Sequence, residues 1–308
     1  MRMFIKKSSS VQKISMSIFI LGFAWLSIQC QGSGTAVKNG SESKTNNTAG
    51  KYKLPNVDLS NWKVTIPAGQ GKGGAMSVEP PEILDYASNE TLKPYMFNDS
   101  TSGALVFYAY PSDATTANTK YSRSELREQM VAGDDDVNWT FKEGGNLKAT
   151  IEMEDVSRDE EGKYHKVIIL QIHGRLTDEQ KEQIGQKDNN APPILKVYWD
   201  KGKIRIKTKE LKFLGTKPEG ILYEEAWGDD EGYTFEEEVG FKKFDMEIDV
   251  SDGKLVVSLN NNEFHTYDNI HMEKWGVFEN YFKAGNYLQT RDDNAFAKVK
   301  FYDLKVSH

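Results

Sequence analysis

Cysteine occurs once in the 308 residues, at Cys30, so no intramolecular disulfide can brace this chain. Long apolar runs are also missing. The one sustained run, 18–28, is interrupted by Gly22 and Ser27 and is too short to span a bilayer comfortably. Positive charge is in deficit: the formal net charge is -7, and removing residues 1–30, with Arg2, Lys6, Lys7 and Lys13, takes it to -11. A chain this acidic does not hold nucleic acid or anionic lipid through its overall field, so any polyanion it binds must meet a local basic cluster. Metal motifs are absent as well. The acidic stretches Asp134-Asp135-Asp136 and Gly228-Asp229-Asp230-Glu231-Gly232 lack the alternate-ligand spacing of a calcium loop, and His165, His265, His271 and His308 form no zinc pattern. No metal and no organic cofactor is expected.

The basic residues ahead of the 18–28 run give residues 1–30 the layout of a secretory signal. Cys30 stands at its end, followed by Gln31-Gly32-Ser33-Gly34, and resembles the lipid-attachment site of bacterial lipoproteins. A secreted protein anchored to the bacterial outer envelope is the expectation, with the lipid as its one link to a membrane. Residues 31–51 carry almost no apolar side chain and read as a flexible tether. From 52 to 308 there is no second linker and no internal repeat, so one domain is expected, and a monomer.

Helical periodicity is scarce. One stretch, 177–184, has a Thr able to cap and a Gln three residues on. Elsewhere the two-residue period of half-buried strands dominates, at 62–66, 105–110, 122–130, 147–154, 167–173, 194–199, 203–209, 244–250, 254–259, 281–289 and 296–306. Turn signals such as Ser251-Asp252-Gly253 and Asn260-Asn261-Asn262 separate them. Many strands and almost no helix predict an all-β fold, a jelly-roll β-sandwich of two antiparallel sheets.

Three of these strands carry polar groups where apolar ones belong. The first places Arg123, Glu125, Arg127 and Gln129 on one face, two guanidiniums that suit carboxylates, with Glu125 able to hold them in position. The second, otherwise apolar, ends with Gln171 and His173 on one face. The third places Tyr281, Lys283, Tyr287 and Gln289 together, with Gly285 leaving room for close approach. Taken singly, an exposed ion-paired strand, a satisfied core histidine and a half-exposed strand explain them. Together, on one sheet, they make a cationic groove in an acidic protein.

RSELRE, QIH and YFKAGNYLQ resemble the three signature segments of polysaccharide lyase family 7, the alginate lyases, and LSNWKVTIP (59–67) and FYDLKV (301–306) resemble that family's ends. The stretches 176–190 and 224–238 match no motif. The resemblance implies a concave sheet that binds alginate and cuts it by β-elimination. Arg123, Gln171 and His173 would then neutralise the substrate carboxylate. Tyr287 would be acid, and base as well when both events fall on one face of the sugar, its pKa lowered by neighbouring Arg and Lys. His173 would be the base when the proton lies on the opposite face. Glu125, Arg127, Lys283, Gln289 and Tyr281 would complete the substrate contacts. An endo mode and a preference for guluronate or mixed blocks are expected, the latter from Ile172 between Gln171 and His173. A glycoside hydrolase on the same fold would need two carboxylates across the bond, and Glu125 beside arginines stays ionised and makes a poor general acid. A non-catalytic carbohydrate-binding module would need no Tyr and His beside an Arg pair.

Overall fold

The computed structural model describes residues 53–308. The signal, Cys30 and nearly all of the expected tether lie outside the described residues. All eleven expected strands form, with ends shifted by a few residues. Two antiparallel sheets stack face to face as a jelly roll. In spatial order the groove sheet runs Trp227–Asp229, Lys203–Leu211, Asn190–Asp200, Val167–Arg175, Glu279–Leu288, Arg123–Glu128, Trp62–Gly69 and Ala75–Val78. The outer sheet runs Glu263–Tyr267, Lys254–Leu259, Phe244–Ser251, Gly145–Val156, Ala297–Ser307, Ala104–Ala109 and Met96–Asp99. Short strands join at the margins: Tyr233–Glu238 beside Lys203–Leu211, and Trp139–Thr140 beside Glu279–Leu288. Asn56–Val57 runs parallel to Ala297–Ser307, the exception among otherwise antiparallel pairings of the described strands.

Alternation builds the core. In Gly145–Val156 the residues Leu147, Ala149, Ile151 and Met153 turn inward, and from the opposite sheet Val64, Ile66, Leu126, Leu170, Ile172 and Phe282 meet them. The helix Asp178–Ile184 forms where expected. Thr177 Oγ1 accepts from Gln180 N at 3.2 Å, Gln180 Oε1 accepts from Thr177 N at 3.0 Å, and Gly185 in the left-handed region ends it.

Seven short strands and the helices Pro218–Ile221 and Ile270–Trp275 carry no clear period in the sequence. Most are two to six residues long and rest on a longer neighbour, so tertiary pairing rather than local pattern makes them strands.

Candidate active site

The three polar strands are immediate neighbours. Glu279–Leu288 lies between Val167–Arg175 and Arg123–Glu128. Their register sets Lys283 opposite Arg127 on one side and Gln171 on the other, with Tyr287 opposite Arg123 and Tyr281 opposite His173. Directly opposed residues of antiparallel strands point to the same face, so a continuous polar surface results. It floors a groove of about 680 Å³ whose lining includes Arg123, Arg127, Gln171, His173, Tyr281, Lys283, Tyr287 and Gln289. A second hollow of about 590 Å³, between Trp62, Glu128 and His308, contains none of these groups.

Glu125 lies beneath this surface. Its carboxylate is fully covered, so it holds other groups instead of contacting a substrate as the resemblance implies. Arg123 Nη1 donates to Oε2 at 2.7 Å, Lys283 Nζ to the same oxygen at 2.6 Å, and Gln171 Nε2 to Oε1 at 2.5 Å. Burial alone would raise the Glu125 pKa, but Lys283 and Arg123 outweigh it and hold the carboxyl below its ordinary range. Arg127, expected to share Glu125, is held elsewhere. Its Nη1 donates to Glu128 O at 2.6 Å and its Nη2 to Asn138 Oδ1 at 2.8 Å and Asp135 O at 2.9 Å.

Arg123 is only 6% exposed, and its Nε and Nη2 have no hydrogen-bond partner. A buried guanidinium edge left bare costs free energy until an acceptor arrives. The opposite edge is fixed by Glu125, and the plane is fixed by Tyr287, whose ring centre lies 3.7 Å from Arg123 Cζ. Arg127 stacks likewise on Tyr281 at 4.1 Å.

His173 stacks on Tyr281 with ring centres 5.2 Å apart and planes 12° from parallel. Its Nδ1 donates to Gly174 O at 3.0 Å, which leaves Nε2 without the proton. Burial, with Lys283 adding repulsion, pushes the His173 pKa down to about 3, so the ring is neutral. Lys283 is itself lowered to about 8 by burial and by Arg123, against the pull of Glu125. Tyr287 departs from expectation. Arg123 does pull its pKa down, but burial prevails and the net shift is upward, so the phenol keeps its proton.

Gly285 makes the floor possible. At φ +142° it lies where the strand bulges against Val167–Arg175, and a Cβ there would sit 2.7 Å from Ser124 O and 2.9 Å from Glu125 Cα. Behind it Asn286 Nδ2 donates to Phe107 O at 3.0 Å and Ala297 O at 2.7 Å, tying the bulge to the outer sheet.

The sequence reading missed other groove residues. Arg175 extends the QIH strand by two and pairs with Glu279 at 2.9 Å and Asp136 at 2.5 Å. Tyr198 and Lys196 come from the neighbouring strand. The unmatched stretch 176–190 contributes Asp188 and Asn189, and Asn118 from the facing loop donates to Asp188 Oδ2 at 3.3 Å. In one acidic stretch Asp135 serves Lys63 and Arg127, and in the other Asp229 serves Lys196 and Lys209.

The family model described as alginate lyase matches residues 57–308. The chain belongs to the alginate lyase family. It is 26% identical over 296 residues to an alginate lyase of Klebsiella pneumoniae, covering 82% of this chain and 89% of that one. Among solved structures, alginate lyase A1-II′ of polysaccharide lyase family 7 is 29% identical with a TM-score of 0.64, covering 82% of this chain and 96% of its own. A double variant of A1-II′, one His replaced by Asn and one Tyr by Phe, in complex with the substrate GGMG, is 27% identical with a TM-score of 0.64 over 82% and 94% of the two chains. The present chain is thus a polysaccharide lyase of the jelly-roll type.

Proposed function

We propose that this lyase cleaves the poly-uronate chain of alginate by β-elimination, with Arg123, Gln171, His173 and Tyr287 as its working groups. The observation that carries the reading is the bare, buried Nε and Nη2 edge of Arg123 beside a neutral His173 and a protonated Tyr287. A uronate carboxylate docked on that edge gains charged hydrogen bonds and loses much of its negative charge, which makes the C5 proton removable. The arriving carboxylate also offsets Lys283 and Arg123, whose charges add to burial in depressing His173. Nε2 of His173 takes the C5 proton as the C5–H electrons form the C4–C5 double bond. The C4–O bond breaks, and the leaving oxygen takes the Tyr287 proton.

Tyr287 held in its protonated form supports a division of labour between two groups. That suits guluronate, whose C5 proton and leaving oxygen lie on opposite faces, and the preference proposed is for guluronate or mixed blocks, cut within the chain. Ile172 lies in the core, so it acts on this preference only by setting how Gln171 and His173 are held. Mixing alginate with the protein and following ultraviolet absorbance of the new double bond tests the reaction. New reducing ends without absorbance would mean hydrolysis, and neither signal would mean binding alone.

The proposed location is the bacterial outer envelope, through a lipid on Cys30. It rests on the lone cysteine at the end of the apolar run. Cys30→Ala should release active enzyme into the medium, and an unlipidated mature N-terminus formed elsewhere would overturn it.

A further inference from the structure

The groove sheet does not stop at the strands that carry the proposed chemistry. Beyond Val167–Arg175 come Asn190–Asp200 and then Lys203–Leu211, and their register continues two transverse rows. One row runs Lys63, Arg127, Lys283, Gln171, Lys196, Lys207. The other runs Arg123, Tyr287, Ile168, Tyr198, Arg205. Lys196 and Tyr198 line the groove, so their directly opposed partners Lys207 and Arg205 share its face.

Lys203–Leu211 shows a sharp division. Ile204, Ile206 and Thr208 are buried on one side, and Lys203, Arg205, Lys207 and Lys209 occupy the other. Of these four cations, Lys209 alone has a carboxylate within ion-pair distance among the described residues, Asp229, which it shares with Lys196. Arg205 reaches Thr234 Oγ1 at 2.9 Å and Glu231 O, Lys203 reaches Glu236 O at 3.0 Å, and Lys207 has a 3.4 Å contact with Asp230 O. The nearby Asp230 carboxylate is turned to the other side, where Thr208 N and Oγ1 hold it at 3.0 and 3.1 Å. Cations without carboxylate partners, aligned in register with a carboxylate-binding floor in a chain of net charge -7, point to an anion supplied from outside.

We propose that Arg205 and Lys207 form a carboxylate-binding shelf that holds uronate residues of the same polymer strand beyond those at the scissile bond. Neighbouring strands lie about 4.8 Å apart, so a chain crossing them meets Lys283, Lys196 and Lys207 in turn at roughly 5 to 10 Å intervals. The shelf makes the enzyme favour long chains over short ones, and this inference rests on the lyase reading above.

The test compares kcat/KM on long alginate and on a uronate trisaccharide, by double-bond absorbance, for wild type, Arg205→Gln/Lys207→Gln and the control Lys148→Gln/Lys305→Gln. The control removes the same charge from exposed positions of the outer sheet. The shelf variant should lower the polymer-to-trisaccharide ratio by at least about tenfold, the worth of one charged hydrogen bond. Its polymer rate should also depend less steeply on salt. The control should keep the wild-type ratio. A shelf variant that keeps that ratio, or a control that loses it equally, overturns the shelf while leaving the lyase reading intact. A wild type without absorbance on alginate overturns that reading instead. Should the double variant fail to fold, Lys207→Gln alone carries the test, and Arg205→Lys/Lys207→Arg, which keeps both charges, should retain most of the preference for polymer.

Discussion

Arg123 and Tyr287 face each other across two paired strands, and the guanidinium carbon lies 3.7 Å from the centre of the phenol ring. The stack orients both groups at once. It leaves the buried Nε and Nη2 edge of Arg123 without a partner, and it fixes the phenol beside a cation that burial nonetheless prevents from ionising it.

Replacing Tyr287 by Phe keeps the ring on Arg123 and removes only the hydroxyl. Turnover on alginate should fall by about two to four orders of magnitude, the usual worth of a general acid, with binding and melting temperature nearly unchanged. Near-normal turnover would remove Tyr287 from proton transfer.

His173→Ala separates the two block types. It should slow cleavage of polyguluronate far more than that of polymannuronate, whose C5 proton and leaving oxygen share a face and do not call for a base opposite Tyr287. Initial rates on the two purified homopolymers decide this. An equal loss on both would end the division of labour, and faster wild-type cutting of polymannuronate would end the preference.

Glu125→Gln leaves Arg123 and Lys283 without their shared carboxylate in a buried site. Breaking such a pair from one side costs about 3 kcal/mol or more. Urea unfolding should therefore show a lowered midpoint at an unchanged slope, together with a large loss of turnover as Arg123, Lys283 and Gln171 lose their anchor. A stable variant with full activity would show that the hub positions nothing.

Gly285→Ala strains the fold where the groove floor bulges. The residue would have to tolerate φ +142° and a Cβ 2.7 Å from Ser124 O. The backbone conformation alone costs about 1–3 kcal/mol for a residue with a side chain. A clear drop in thermal midpoint is expected, and an unchanged one would mean that the strand relaxes freely there.

The pH profile follows from Lys283. Its pKa lies at about 8, lowered by burial first and Arg123 next, so it is charged below that value and loses its proton as pH rises through it. The value of kcat/KM should fall on the alkaline side with an apparent pKa near 8. In Lys283→Arg, whose charge persists, that limb should move upward. A limb that stays near 8 in the variant belongs to another group.

Much of this was legible in the sequence because strand alternation is local. Leu147, Ala149, Ile151 and Met153 announce their strand without help, and Thr177 with Gln180 announces the one well-capped helix. The same period assigned Arg123 with Glu125 and Gln171 with His173 to common faces. It failed at Ile168, where irregular pairing on both sides of the strand breaks the alternation and turns Ile168, not Val167 or Ile169, to the groove. The alternating cations of 203–209 were a readable signal of the shelf face, hidden only because ion-paired surface strands look the same.

The sequence by itself determined which side chains share a face wherever the strands pair regularly, that the fold is built of strands, and that any polyanion must meet a local basic cluster. Only the tertiary structure decided that three strands from distant parts of the chain are neighbours, that Glu125 lies beneath the groove and binds Lys283 instead of Arg127, and that burial outweighs Arg123 at Tyr287. The reason is physical: periodicity depends on residues two apart, whereas desolvation and ion pairing depend on whatever packs alongside, and here that comes from distant parts of the chain, as Lys283 comes to Glu125 from 158 positions away and Arg123 to Tyr287 from 164.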